Sequence, residues 1–319
     1  PAIRYGVSQA LLAAVALVLG VPMAKVLAQE WDLPLSEAPI PIHAQSGSER
    51  YYNAEKMIAR RIASLPHALV DNLPKQVGRD GSELTRYIRW LAKHADRALV
   101  MEPALGELGD IKTERKGIGP FTVTVHGKAA HAGLDPTGGA SAILELSHVI
   151  QKLFAMNDPD SGITINVGTI DGGVQPNVIA PHSTAVVDVR VPTVVEGDRI
   201  EKQIHGMQPE TPGVRLRIEG AIGRPSMEPT ARNEALWQQA VAAAGELGLE
   251  IGRAKVGGGS DGNTTSQYTA TLDGLGPVGH GAHAPHEFLY IDKTLERAAL
   301  LALLLLAPPT GVVALEEAG

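Results

Sequence analysis

"IGPFTVTVHG" (residues 118–127) alternates apolar and polar side chains, so Phe121, Val123 and Val125 fall on one side of an extended strand. After Asp135-Pro136, "GGASAILELSHVIQKLF" (138–154) reads as an amphipathic helix. "GITINVGTIDGG" (162–173) and "STAVVDVRVP" (183–192) are two more strands, "VEGDRIEKQIHGM" (195–207) a second helix, and "GVRLRIEG" (213–220) a last strand. The order β-α-β-β-α-β predicts a ferredoxin-like unit, a four-stranded antiparallel sheet with both helices on one face.

Elements of another kind flank this unit. "SELTRYIRWLAKHA" (82–95) predicts a helix that Ser82 can cap, with Leu84, Ile88, Trp90 and Leu91 on its apolar face. "RALVMEPALG" (97–106) reads as a short buried strand ending at Glu102-Pro103. "NEALWQQAVAAAGELG" (233–248) and "DKTLERAALLALLLLA" (292–307) are helices. The expected fold is therefore α/β, with a small α+β domain (117–224) inserted between the two pieces of an α/β domain (77–116 and 225–308). An exposed strand edge in the inserted unit invites pairing, so this unit is expected to mediate a homodimer.

The chain of 319 residues has 44% hydrophobic and 20% charged residues, as an ordinary globular protein does. A net charge of −7 without a basic tract gives no reason to expect nucleic acid. There is no cysteine, so disulfides and thiolate metal sites are excluded and any transition metal must be held by His, Asp and Glu. Residues 1–28 hold Arg4, an apolar run from Ala10 to Val21 and Val26-Leu27-Ala28, the pattern of a secretory signal peptide. That reading implies a periplasmic or secreted protein; the alternative is a buried N-terminal helix in a cytoplasmic one. The run is too short to favour a stable membrane span. Residues 29–76 form an unassigned arm, proline-rich to about 50, with helical spacing in "YYNAEKMIARRIASL" (51–65).

"GHGAHAPHEF" (279–288) puts His280, His283 and His286 within seven positions, followed by Glu287. Gly279, Gly281 and Pro285 argue against a helix here, so these rings belong to a loop. Three solvated histidines are one reading, a metal ligand with polar supports the other.

Four stretches taken in order, "ALVMEPA" (98–104), "GKAAHAGLDPTGGASAILEL" (127–146), "GGGSDGN" (257–263) and "GAHAPHE" (281–287), resemble the zinc-dependent aminoacylase and carboxypeptidase family, most closely its glutamate carboxypeptidase branch. The resemblance spans roughly residues 77–308. It implies a catalytic domain carrying two zinc ions and an inserted lid that also dimerises. It implies that Glu102 binds one zinc and His283 the other, with Glu287 in support and His280 and His286 solvated or supporting. By the same resemblance His131 reaches across the dimer to the carbonyl oxygen of the scissile amide, where such a donor is worth on the order of 3 kcal/mol of barrier. A strand-end residue packed under the following helix is the plainer alternative. Arg224 and Asn177 match lid positions that hold the substrate's terminal carboxylate and amide, and a guanidinium fork suits a carboxylate. Gly257, Gly258, Gly259 and Ser260 would bring backbone N–H groups near the same anion. Arg190 is either functional or structural, and Asp261 caps a helix or turn.

The pattern departs from the family before residue 102. No His-x-Asp occurs there, and "DNLPKQ" (71–76) stands where the resemblance implies a Glu-Glu pair. About 75 fewer residues precede this point than a full family member implies. Two zinc ions about 3.5–4 Å apart need a bridging carboxylate and further ligands, and Glu102 and His283 are only two. A degenerate or truncated homologue, an incomplete sequence, or replacement ligands from Asp71, His67 or His43 would each account for this. Two functions follow: a metal-dependent hydrolase acting on a small-molecule or peptide amide next to a free carboxylate, or a degenerate homologue serving as a binding or dimerisation module. If Glu102 and His283 share a centre, their functional groups lie within about 8 Å of each other.

Overall fold

The computed structural model describes residues 82–310 except position 283, and a few positions between 15 and 29. The helix read at 51–65, and nearly all of the 1–28 and 29–76 segments, lie outside the described residues. Among the described residues no helix is long and apolar enough to cross a membrane.

The inserted unit folds as its alternation dictates. Strand β3 (Gly117–His126), helix α2 (Ala142–Ala155), β4 (Thr164–Gly172), β5 (His182–Val191), α3 (Val194–His205) and β6 (Arg215–Gly220) follow one another. The sheet order is β4-β5-β3-β6, with every pairing antiparallel. Buried and half-buried residues alternate along β3 and β5, so one face is core and the other open. Phe121, Val123 and Val125 of β3 and Val187, Val189 and Val191 of β5 pack against Leu146, Val149 and Leu153 of α2 and Ile200 and Ile204 of α3. Each such side chain contributes roughly 1.5–3 kcal/mol by leaving water. Strand β4 lies at the edge, and its register against β5 shifts between Val167 and Thr169, a bulge.

The flanking pieces assemble in an α/β manner. Helix α1 (Ser82–Ala92) is followed by β1 (Arg97–Leu99) and β2 (Ile111–Arg115); after the insert come α4 (Ala231–Glu246), β7 (Arg253–Val256), α5 (Asp261–Thr265), β8 (Ala270–Leu272), β9 (Gly279–His280), β10 (Phe288–Leu289) and α6 (Ile291–Leu306). Strand β1 pairs parallel with β8, and β2 parallel with β7. Leu236, Trp237 and Ala240 of α4 and Leu300 and Leu304 of α6 cover Ile111, Leu272 and Leu275 in a second core. The strand read at 97–106 is shorter than expected: it stops at Leu99 and is half-buried. Beyond it the backbone turns to bond residues 276 and 277 instead of continuing along β8. In α1 the buried residues are Tyr87, Ile88 and Ala92, while Trp90 sits at the margin, stacked on Tyr87 and tilted against His94. The expected Ser82 cap lies outside the described side chains.

Local sequence sets the helix starts. Ser141, Thr193 and Thr230 each accept a hydrogen bond from the backbone N–H three residues on, satisfying one of the helix's orphan donors.

A buried carboxylate joins α2 to the loop before β6. Glu145 is shut off from solvent, and its oxygens accept hydrogen bonds from the backbone N–H groups of Glu210 and Thr211. Burial pushes its carboxyl up, but the hydrogen bonds from Thr211 and Glu210, with the neighbouring His148, hold it below the usual carboxylate value. A carboxyl depressed by folding adds stability above its unfolded pKa of about 4.3, and that stability is lost as pH falls through the folded value. Glu145→Gln should therefore be less stable than wild type at pH 7, with the difference shrinking as the pH falls below 4. Urea unfolding midpoints measured across that range check this; a constant difference would remove the linkage.

Candidate active site

The lid contributes His131 through a loop that folds back on its own sheet. From the end of β3 the chain pairs Lys128 with Ala140 and His131 with Val178. Gly127 makes this possible, since a Cβ there would overlap the Ala140 carbonyl oxygen. Ala132 N–H donates to the Asn177 carbonyl at 2.9 Å, so His131 and Asn177 lie on two loop segments that run side by side, both exposed. The His131 ring is exposed, not packed under the following helix. Its Nδ1 accepts from the backbone N–H groups of Gly133 and Leu134, both at 3.2 Å. In the neutral ring this leaves the proton on Nε2, so the imidazole is a fixed donor toward its open side.

Arg224 stands where the chain crosses from the lid into the second piece of the α/β domain. Its backbone exchanges two hydrogen bonds with Ile118, at 2.8 and 3.1 Å, and the residue is exposed. The glycine segment after β7 has a different setting. The Gly257 carbonyl accepts from Arg190 Nη1 at 3.1 Å and that of Gly258 from Arg115 Nη1 at 2.8 Å. Arg190 also pairs with Asp188 at 2.8 Å, so here it is a structural tie. Ser260 is 4% exposed; its N–H donates to Asn263 Oδ1 at 2.9 Å and its hydroxyl to Asp273. It caps α5 in a reciprocal box with Asn263. Both of its polar groups are thus engaged inside the protein, and Asp261 is the first residue of the helix so capped.

The strongest charge pair in this region is absent from the sequence expectations. Arg115 Nε and Nη2 donate to Asp273 Oδ2 and Oδ1 at 2.7 and 2.9 Å, with both side chains buried. The available signal was the inward phase of "IKTER": positions 111, 113 and 115 face the core, and an arginine there requires an anion.

The stretches carrying Glu102 and the histidine loop are laced together. Gly276 N–H donates to the Glu102 carbonyl and Ala104 N–H to the Pro277 carbonyl, just before β9. Strands β9 and β10 pair antiparallel as the two arms of a hairpin, with Gly281 at φ 75° just past the first arm. The non-helical reading holds. At the hairpin root His280 lies against Phe288 and Tyr290, and its Nε2 is 3.6 Å from Glu107 Oε1. His286, Glu287 and Glu102 are exposed. His283 lies outside the described residues, as do His43, His67 and Asp71. Lys112 lies near Glu102; burial, then Arg115, pushes its ammonium down, opposed by Asp273 and Glu102. Among the described residues no group of three or more His, Asp or Glu side chains is placed to hold a metal ion. They do not supply the ligand set that two zinc ions require.

Residues 113–208 match the family described as Peptidase dimerisation domain. Residues 1–32 match the Methylaspartate ammonia-lyase N-terminus and residues 34–104 the Methylaspartate ammonia-lyase C-terminus. The chain is 47% identical over 92 residues to Methylaspartate ammonia-lyase 2 of Carboxydothermus hydrogenoformans, covering 29% of this chain and 22% of that one. It is 27% identical over 227 residues to Carboxypeptidase G2 of Pseudomonas sp., covering 67% of this chain and 53% of that one. Its fold is similar to that of aminopeptidase PepT from Bacillus cereus, with a TM-score of 0.56, 22% identity and coverage of 66% and 57%. The chain thus spans about half the length of the carboxypeptidase and about a fifth of the ammonia-lyase. The resemblance to the zinc-dependent aminoacylase and carboxypeptidase family and the α/β fold with an inserted lid are supported together. Glu102 falls within the stretch that matches the second family.

The buried pair has a measurable weight. Asp273→Ala leaves the Arg115 guanidinium uncompensated and should cost about 3–5 kcal/mol of unfolding free energy. Replacing both residues with apolar side chains of similar volume should cost less than the single change. Equal losses in a urea titration of the two variants would show that the pair is not the source of the effect.

Proposed function

We propose that this chain works as a metal-dependent hydrolase of the peptidase class, cleaving an amide next to a free carboxylate such as a C-terminal glutamate or an N-acyl amino acid. The observation that carries the reading is the His131 ring, whose Nδ1 is held by two backbone N–H groups beside Asn177. A ring fixed in this way donates from Nε2 to an oxygen on which negative charge develops, at little reorganisation cost. Asn177 offers an amide for the substrate's own amide. Arg224 offers a fork for the terminal carboxylate from the crossing between domains, where a closing lid delivers it. In this reading zinc is the metal, with its ligands drawn partly from positions beyond those described.

A second reading is a non-catalytic binding or dimerisation module. It is favoured by the match of residues 1–32 and 34–104 to another family, over the stretch where His-x-Asp and Glu-Glu are expected. Metal content and turnover separate the two. The hydrolase reading expects about two bound zinc ions and cleavage of N-acyl amino acids or folate-like glutamate amides; a metal-free chain without turnover would leave the binding module.

Given turnover, His131→Ala should lower kcat by about 10²–10³-fold. Arg224→Lys should raise KM by roughly one to two orders of magnitude, because a point charge loses the paired geometry. An unchanged KM would reduce Arg224 to a surface residue. We also propose that the lid forms a homodimer through the β4 edge, where Ile170 is 67% exposed and Val174, just past the strand, 69%. Light scattering should give twice the chain mass at micromolar concentration; a monomer there would remove the dimer.

A further inference from the structure

The open face of the lid sheet ends in a pair of imidazoles. His126 is the last residue of β3 and His182 the first of β5, and the two are direct cross-strand partners. Their side chains share the face turned away from the helices, because the neighbours Val125 and Ser183 are buried. The ring centroids are 5.4 Å apart with 61° between planes.

Most other described histidines have a ring nitrogen hydrogen-bonded or within ion-pair distance of a carboxylate. His94 bonds the Trp90 carbonyl and His205 the Gly220 carbonyl; His131 accepts from two backbone N–H groups; His148 and His280 lie within 4 Å of carboxylates. His126 and His182 have no such partner among the described residues, so two imidazoles free of hydrogen bonds and ion pairs stand side by side.

We propose that His126 and His182 form a bidentate site for a divalent transition-metal ion of the zinc, nickel or copper kind. Neutral imidazole is a preferred donor for these ions and a poor one for magnesium or calcium. The spacing suits the chemistry. With metal–nitrogen bonds of about 2.1 Å, a bound ion lies roughly 3.2 Å from each ring centre, and a near-tetrahedral angle then sets the centres about 5.2 Å apart. The observed 5.4 Å requires only ring rotation about side chains that are not fully buried. Arg215 is in register with His126 on the other side, and its charge opposes a dication. Asp171, in register with Thr184 one row inward from His182, offsets it in part. Two nitrogens leave the remaining positions to water, and copper should bind more tightly than nickel or zinc.

Metal titration of the full chain tests this independently of the proposed hydrolase site. Calorimetry with nickel and with copper should detect a site that His126→Ala or His182→Ala weakens by at least about tenfold. His283→Ala should leave it intact. If the His126→Ala/His182→Ala double variant binds with wild-type stoichiometry and affinity, the site does not exist. On the unaltered protein, zinc should protect both rings from diethyl pyrocarbonate as mapped by mass spectrometry. Modification of both at the metal-free rate would overturn the proposal even if a variant failed to fold.

Discussion

The bidentate contact between Arg115 and Asp273 joins parts of the chain 158 positions apart, and the architecture around the candidate site depends on it. Arg115 ends β2, two residues before the lid begins; Asp273 follows β8 at once. Their contact ties the entry to the lid to the centre of the second core. It also recruits its surroundings. Ser260 donates to the same carboxylate, and Asn263 donates to the carbonyls of Lys116 and Pro225, the two strands that enter and leave the lid. A guanidinium and a carboxylate deprived of water leave little slack, because the loss of either strands the other. The network therefore specifies how the lid's base meets α5 more tightly than apolar packing alone would.

Two kinds of polar residue thus share the region. Arg115, Asp273, Ser260 and Asn263 face inward and satisfy one another, which makes them framework. His131, Asn177 and Arg224 are exposed, their backbone held by short pairings, and His131 has only its Nδ1 engaged. Under the proposed function, that division would put the binding groups on a rigid support. It also separates the glycine segment from the site: its carbonyls at 257 and 258 are drawn toward arginines, and Ser260 belongs to the helix cap.

The lid was legible from sequence because each strand shows period two and each helix a continuous apolar stripe, both set by neighbours along the chain. The hairpin was legible as non-helical because Gly279, Gly281 and Pro285 are local signals. The pairing of Arg115 with Asp273 is not legible in spacing, because the two lie 158 positions apart; only the inward phase of β2 hints at it. The glycines before Ser260 suggest an anion site, while Asn263 three positions on marks it as a helix cap. The stretch before residue 104 contributed a helical pattern and a Glu-Pro motif, and neither distinguishes the two families that the chain matches. Motif spacing is informative about chemistry where several motifs agree, and the early motifs were absent.

The irregularity in β4 sets a limit on how copies of this molecule can grow together. Past Val167 the strand's facing changes phase, so Thr169 and Asp171 sit opposite residues of the open face and Ile170 opposite the core-facing Ala185. A straight, in-phase rim would accept strand after strand without end. A kinked rim offers only a short run of matched backbone groups to a newcomer. The extra residue thus makes open-ended strand addition at the β4 border less favourable than at a straight one, and leaves β6 as the regular border of the sheet.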